Sequence, residues 1–236
     1  ERPYLCIRLN LHLPDIAALV LDADAGHGHN AARPPRGLQV LRITDPLLDA
    51  VLRLMRYLEP DGSISEAGVQ ALEAAVAEAR IIAEAEGVDE LLATATSAVR
   101  EATNGADVIA RIEAALGQEL QVLGGESEAR FTFLAVRRWF GWAAGNILLF
   151  DIGGGSLELA SGPDELPEFA ASLPLGAGRM TIAHLAEDPP GEEAVERLRV
   201  HTREILAPVA ERMRELPRPD LVAGSSKAIR SLAKLA

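Results

Sequence analysis

The sequence predicts an α/β fold built as two halves, and three observations carry that prediction. Apolar residues alternate with polar ones in short runs that read as strands, and they recur at helical spacing between those runs. The order repeats: a strand hairpin leads into strand, helix, strand near residues 5–125 and again near 146–236. The length, 236 residues, is enough for two modest domains, each with its own core.

In residues 6–13, Ile7, Leu9, Leu11 and Leu13 alternate with Arg8, Asn10 and His12, the pattern of a half-buried strand. Pro14-Asp15 turns the chain into a second strand over 16–22. A Gly/Pro/His/Arg loop, a strand over 38–43 and an amphipathic segment over 46–58 follow. A helix is expected from Ser63, whose spacing to Glu66 fits a capping box. It carries Ala67, Leu72, Ala75, Val76, Ala79 and Ile82 on one stripe and stops at Gly87. Residues 90–94 read as a buried strand, 107–116 as a helix ended by Gly117, and 119–123 as a strand, a parallel crossover.

Gly124-Gly125 opens a helix over 126–140, and strands over 146–151 and 156–160 flank a glycine turn. A strand at 168–172, a helix over 192–216 broken or kinked at Pro208, a strand at 221–223 and a helix from Ser226 complete the pattern. The domains expected are therefore 1–125 and 146–236, with 126–145 as a connecting helix.

Composition narrows the function classes. With 35 acidic against 23 basic residues, the formal charge of −12 argues against general nucleic-acid binding, which needs a basic face. A polyanionic substrate has to meet a locally basic site, for which the arginines at 100, 130, 137, 138, 179 and 230 are the candidates. The single cysteine, Cys6, has no internal partner, and no basic-then-apolar leader precedes it, so the cytoplasm is the compartment expected. Apolar runs such as 16–21 and 147–150 are far shorter than the roughly 20 residues that span a bilayer, so no membrane segment is expected.

The most informative motif is Asp151-Ile-Gly-Gly-Gly-Ser156. Three consecutive glycines allow positive φ angles and let several N–H groups converge on an anion such as phosphate. No Lys follows them, as in a Walker A loop, and a strand comes next instead of the helix of a dinucleotide fingerprint. Strand alternation puts Ser156, Glu158 and Ala160 on one face and Leu157 and Leu159 on the other, so Glu158 shares the side of Ser156. Carboxylates at Asp151 and Glu158 beside a phosphate cradle repel the ligand unless they hold a metal such as Mg²⁺ or position a water. The plainer alternative is a tight hairpin whose glycines serve only the turn. Two weaker signals are Gly224-Ser-Ser226, where a strand meets a helix N-terminus, and the Asp22, Asp24, His27, His29 cluster, whose spacing matches no zinc pattern.

Four motifs in order resemble the exopolyphosphatase and guanosine pentaphosphate phosphatase (Ppx/GppA) family: Ala93-Thr-Ala-Thr-Ser-Ala-Val-Arg-Glu-Ala102, Gly125-Glu-Ser-Glu-Ala-Arg130, Phe150-Asp-Ile-Gly-Gly-Gly-Ser-Leu-Glu158 and Ser172-Leu-Pro-Leu-Gly-Ala-Gly178. The resemblance implies an actin-like ATPase (ASKHA) fold of two RNase-H-like domains around an interdomain cleft, and magnesium-assisted removal of a terminal phosphate. It implies that Glu128 activates the attacking water and that Arg100 contacts phosphate; from the residues themselves, Asp151 and Glu158 are the candidates for the metal, and Ser97, Gly153, Gly154, Gly155 and Ser156 those for phosphate. The ligand expected is polyphosphate or a guanosine phosphate, and a homodimer is compatible with the reading.

The resemblance departs from the family's pattern in the first strand. Asn10 stands where an acidic residue belongs, and His12-Leu-Pro-Asp15 stands where the family reads Gly-Ser-Asn-Thr. Proline has no N–H and leucine is apolar, so that half of the phosphate clamp is expected to be disabled. The chain also ends at Ala236, where family members continue, so a short second domain is expected. Two functional readings follow, a working phosphohydrolase and an impaired relative that binds a phosphorylated ligand or a partner as a sensor. A third is that the first 35 residues are not the native reading frame.

Overall fold

The computed structural model describes residues 4–9, 54–85 and 90–235, which form two compact units, 1–123 and 124–236. The stretch at 10–15, the strands expected over 16–22 and 38–43, and the Asp22, Asp24, His27, His29 cluster lie outside the described residues. Of the segment at 46–58, the described residues are a 3₁₀ turn, Leu54–Tyr57, and Leu58, which bridges to Ile64.

In the first unit, β1 (Tyr4–Leu9), β2 (Glu90–Ala95) and β3 (Gln121–Val122) form a parallel sheet in that order. The crossover that the sequence predicts after β2 is present. It runs through a short helix, α2 (Ser97–Arg100), and α3 (Gly105–Leu116). Gly117, at φ 76°, closes α3 by donating its N–H to Glu113 O, the left-handed ending that glycine permits. The long helix α1 (Glu66–Ala85) buries Val69, Leu72, Val76, Ala79 and Ala83, whose alternating spacings of three and four make one stripe. Val69, Leu72 and Val76 of that stripe and Val108, Ile112 and Leu116 of α3 share a core with Ala93, Ala95 and Val99.

The start of α1 differs from the expected capping box. Ser65 caps the helix, its hydroxyl accepting from Gly68 N–H (3.3 Å). Ser63 instead donates both N–H (2.9 Å) and hydroxyl (2.6 Å) to Asp61 Oδ1. A nearby acceptor in the preceding turn wins the hydroxyl that the spacing assigns to the helix.

Asn104 ties the start of α3 to the strand-like bridge before α1. Ile64 N–H donates to Asn104 Oδ1 (2.8 Å), and Asn104 Nδ2–H donates back to Ile64 O (2.9 Å). Both partners are peptide groups at a buried residue, Ile64. Asn104→Ala is expected to destabilise the first unit by about 2 kcal/mol in denaturant unfolding. A loss below about 0.5 kcal/mol would mean that water replaces the pair.

The second unit is a four-stranded sheet in the order β6-β5-β4-β7: β4 (Ile147–Ile152), β5 (Leu157–Gly162), β6 (Phe169–Leu173) and β7 (Leu221–Ser225). β4, β5 and β6 pair antiparallel, while β7 joins β4 in parallel. α4 (Gly125–Phe140) covers one face, where Phe133 and Val136 pack on Ile147, Leu149, Ala160 and Ala223. α5 (Ala177–His184) and α6 (Glu192–Arg214) cover the other, with Met180, Ile205, Leu206 and Val209 against Leu157 and Leu159. α6 runs through Pro208 as one helix, and α7 (Lys227–Leu235) follows β7.

The helix expected as a connector over 126–145 is part of this second unit instead. Its buried face, Glu128, Ala129, Thr132, Phe133, Val136 and Arg137, packs on the sheet. Helical periodicity shows that a helix has an apolar face, not which sheet receives it.

Candidate functional site

The site is built on the ends of β4 and β5, in the second unit. Strand register lines up four polar side chains across the sheet: Ser172 pairs with Glu158, Glu158 with Asp151, and Asp151 with Ser225. Glu158, Asp151 and Ser225 are buried, as is Glu128 on α4, the helix covering this face. Paired residues share one face of a sheet. The placement of Glu158 and Ala160 opposite Leu157 and Leu159, read from alternation, is the one observed.

Burial pushes the Glu158 carboxyl up from its usual 4.5 to about 7, and the charges of Glu128 and then Asp151 push in the same direction. The hydroxyls of Ser156 and Ser172 donate to it and oppose the rise, Ser172 Oγ at 2.8 Å from Oε1. The folded protein therefore holds a proton on Glu158 more tightly than the unfolded chain between pH 4.5 and 7. Stability contributed by this group falls as pH rises through that window and is level above it, by at most on the order of 3 kcal/mol. Glu158→Gln is expected to flatten the decline of Tm between pH 5 and 7.5 in chelator-treated protein; an unchanged slope would assign the decline to other groups.

Among the described residues, no three His, Cys, Asp or Glu side chains are grouped to cage a metal. Mg²⁺ does not require such a cage, since it keeps several waters and takes one or two carboxylates together with substrate phosphates. Asp151 and Glu158 on paired strands fit that donor set.

The glycine turn joins β4 to β5 and is closed by Gly153 N–H donating to Ser156 O (2.9 Å). Its glycines do not serve positive φ angles as expected. Among the described residues the left-handed glycines are Gly62, Gly117, Gly141 and Gly145. The close approach that requires glycine is on the facing side, at Gly176. A Cβ on Gly176, which caps α5, would lie 2.3 Å from Gly155 C, 2.4 Å from Ser156 N and 2.5 Å from Gly154 C. From this contact Ala177 N–H donates to Gly153 O (2.9 Å), Arg179 N–H to Gly154 O (2.9 Å) and Arg179 Nε–H to Gly155 O (2.7 Å).

A trans peptide points its C=O and the following N–H in opposite directions. Three consecutive carbonyls directed at α5 thus put the amides of Gly154, Gly155 and Ser156 on the other side of the turn. A row of amides on one side of a turn is the arrangement that suits an anion.

The arginines of the second unit have different partners. Arg130 pairs with Glu126 (2.6 Å) and Arg138 with Glu165 (2.9 Å). Arg137 is buried over the Phe133 ring and donates to the carbonyls of Gly141 (3.2 Å), Gly145 (2.5 Å) and Gly162 (2.9 Å). It fastens α4 to the loop before β4 and to the end of β5. Arg179 serves the turn carbonyls, and Arg230 lies on α7.

Arg100 and Ser97 belong to the first unit, where Ser97 is buried at the start of α2. Arg100 donates to Leu123 O and pairs with Glu101 (3.2 Å).

Sequence reasoning missed Ser172 and Ser225 as members of the row. A signal for Ser225 was present in Gly224-Ser-Ser226. Its hydroxyl is buried with no hydrogen-bond partner among the described residues, and Ser226 sits at φ 99°, a strained position of the kind that collects at functional sites.

The profile described as Ppx/GppA phosphatase family matches residues 47–236. A second profile, the AraC-type transcriptional regulator N-terminus, matches residues 1–68. Exopolyphosphatase 1 of Mycobacterium tuberculosis is 50% identical over 186 residues, covering 79% of this chain and 54% of that protein. Among solved structures, an exopolyphosphatase from Cytophaga hutchinsonii superposes with a TM-score of 0.68 at 27% identity, over 74% of this chain and 55% of that one. The Ppx/GppA family member of Aquifex aeolicus superposes with a TM-score of 0.60 at 27% identity, over 77% and 57% of the two chains. The chain spans about half the length of the curated relatives it matches. Among the described residues, no helix is long and apolar enough to cross a membrane.

Proposed function

This chain belongs to the Ppx/GppA phosphatase family, and from that premise we propose that it is a phosphohydrolase removing the terminal phosphate of inorganic polyphosphate by activated water. The observation that carries the reading is the turn of Gly154, Gly155 and Ser156. Its amides lie on one side, and its Ser156 hydroxyl bonds Glu158 in the carboxylate row.

The turn amides bind and orient phosphate oxygens, and Glu128 accepts a proton from water. The water oxygen forms a bond to the terminal phosphorus as the bridging P–O bond breaks. The bridging oxygen departs on the shortened chain, and the water proton rests on Glu128. Asp151 and Glu158 would hold Mg²⁺, which supplies positive charge against the phosphate oxygens. Ser172 and Ser156 hold the Glu158 carboxylate in place through their hydroxyls. In the first unit Arg100 is the candidate contact for phosphate, which would displace the bond to Glu101; Ser97 lies beside it on the same helix.

Orthophosphate release from polyphosphate and from guanosine pentaphosphate, measured across a magnesium series, tests this reading. Magnesium-dependent release from polyphosphate is expected. Release no greater than that of a Glu128→Ala control would overturn it. Calorimetric titration with the same ligands would then separate a sensor, which binds without turnover, from a chain that does not bind them.

A further inference from the structure

We propose that Arg179 is a positioning residue for the phosphate turn, acting through the N–H at Nε and not through its charge. The inference rests on the proposed phosphate-binding role of the turn, and it says what keeps that turn in its binding conformation. Three carbonyls in a row, those of Gly153, Gly154 and Gly155, are taken by donors from the first turn of α5. Two of the donors are backbone amides that a helix start leaves without intrahelical partners. The third is the Arg179 side chain, 2.7 Å from Gly155 O, and it is the only one of the three that side-chain chemistry controls.

The peptide between Gly155 and Ser156 is the last of the cradle. If its carbonyl is not held, rotation of that peptide meets no resistance from Gly155, which tolerates either orientation, and only the φ preference of Ser156 opposes it. Rotation would turn the Ser156 amide toward α5 and remove one phosphate donor. Two of the amides at the α5 N-terminus, those of Ala177 and Arg179, are thus spent on carbonyls. Their role is to aim the amides of the turn.

Two substitutions separate this role from a direct contact between guanidinium and phosphate. Glutamine carries an N–H donor on the atom after Cδ, the place of arginine Nε, without the charge; methionine keeps the length and has neither. Two readouts apply to the full chain: binding of medium-length polyphosphate by calorimetry with magnesium present, and hydrogen exchange of the Ala177 and Arg179 amides without ligand.

Arg179→Met is expected to weaken binding about tenfold and to speed exchange at both amides by a similar factor, since local opening controls both. Arg179→Gln is expected to recover most of the loss in each. If Gln and Met behave alike in exchange, the positioning role is overturned. If they weaken binding equally while exchange stays at the wild-type rate, the charge itself contacts the ligand and the role is again overturned. Should wild-type protein not bind polyphosphate, the proposed function fails, and the exchange readout still decides the role of Arg179 in the turn.

Discussion

Glu128→Gln is expected to lower orthophosphate release by about 10³-fold while leaving the second unit folded. The replacement is nearly isosteric at a buried position on α4, so packing against the sheet survives and only the proton acceptor is lost. A second effect is predicted at a distance. The charge of Glu128 is the largest cause after burial of the raised Glu158 pKa. Removing it is expected to move the Glu158 titration down from about 7 toward its usual 4.5, followed by carbon NMR of the labelled carboxyl. Because the folded pKa drops toward the unfolded one, the pH window over which stability declines narrows from its upper end. Loss of release with an unmoved Glu158 titration would separate the two carboxylates and dissolve the row as an electrostatic unit. Retained release would remove Glu128 from the chemistry.

The parts of this site that the sequence makes legible are those written within a few residues. Asp151-Ile-Gly-Gly-Gly-Ser156 sits between two apolar alternations, so a strand, a turn and a second strand follow from local pattern, and Glu158 falls on the side of Ser156 by parity alone. The parallel crossover β2, α3, β3 is equally local. What escaped is long-range. Ser172 and Ser225 join Asp151 and Glu158 only through strand register, which depends on pairing partners that no short window contains.

Arg137 reads as one more candidate for phosphate because arginines are mostly exposed. Its burial depends on three carbonyls offered by the loop before β4 and by Gly162, a satisfaction that only tertiary structure provides. The close packing of the turn is long-range for the same reason: the residue that has to lack a side chain for it, Gly176, lies some twenty residues away in sequence.

That contact carries the second large prediction. Gly176 and Gly191 both cap helices in the second unit, with nearly the same backbone: φ −68°, ψ 146° at Gly176 and φ −68°, ψ 155° at Gly191. Neither conformation needs glycine, so any difference between them on substitution comes from space. A Cβ at Gly191 meets nothing within 4 Å, whereas one at Gly176 meets three backbone atoms of the phosphate turn at 2.3 to 2.5 Å. Backbone cannot move aside as the end of a flexible side chain can.

Gly191→Ala is therefore expected to cost less than about 1 kcal/mol, the ordinary difference between Gly and Ala at a helix cap. Gly176→Ala is expected to cost about 3 kcal/mol or more, from overpacking and from the bonds of Ala177 and Arg179 to the turn carbonyls. In thermal unfolding that loss corresponds to a fall of roughly 10 °C. Because α5 has to retreat from the turn, polyphosphate binding is expected to fall further than the stability of the unit alone requires. Calorimetry at a temperature where the variant remains fully folded measures that excess. Equal stability losses at the two glycines would show that α5 and the turn are not in the close contact from which the cradle has been derived.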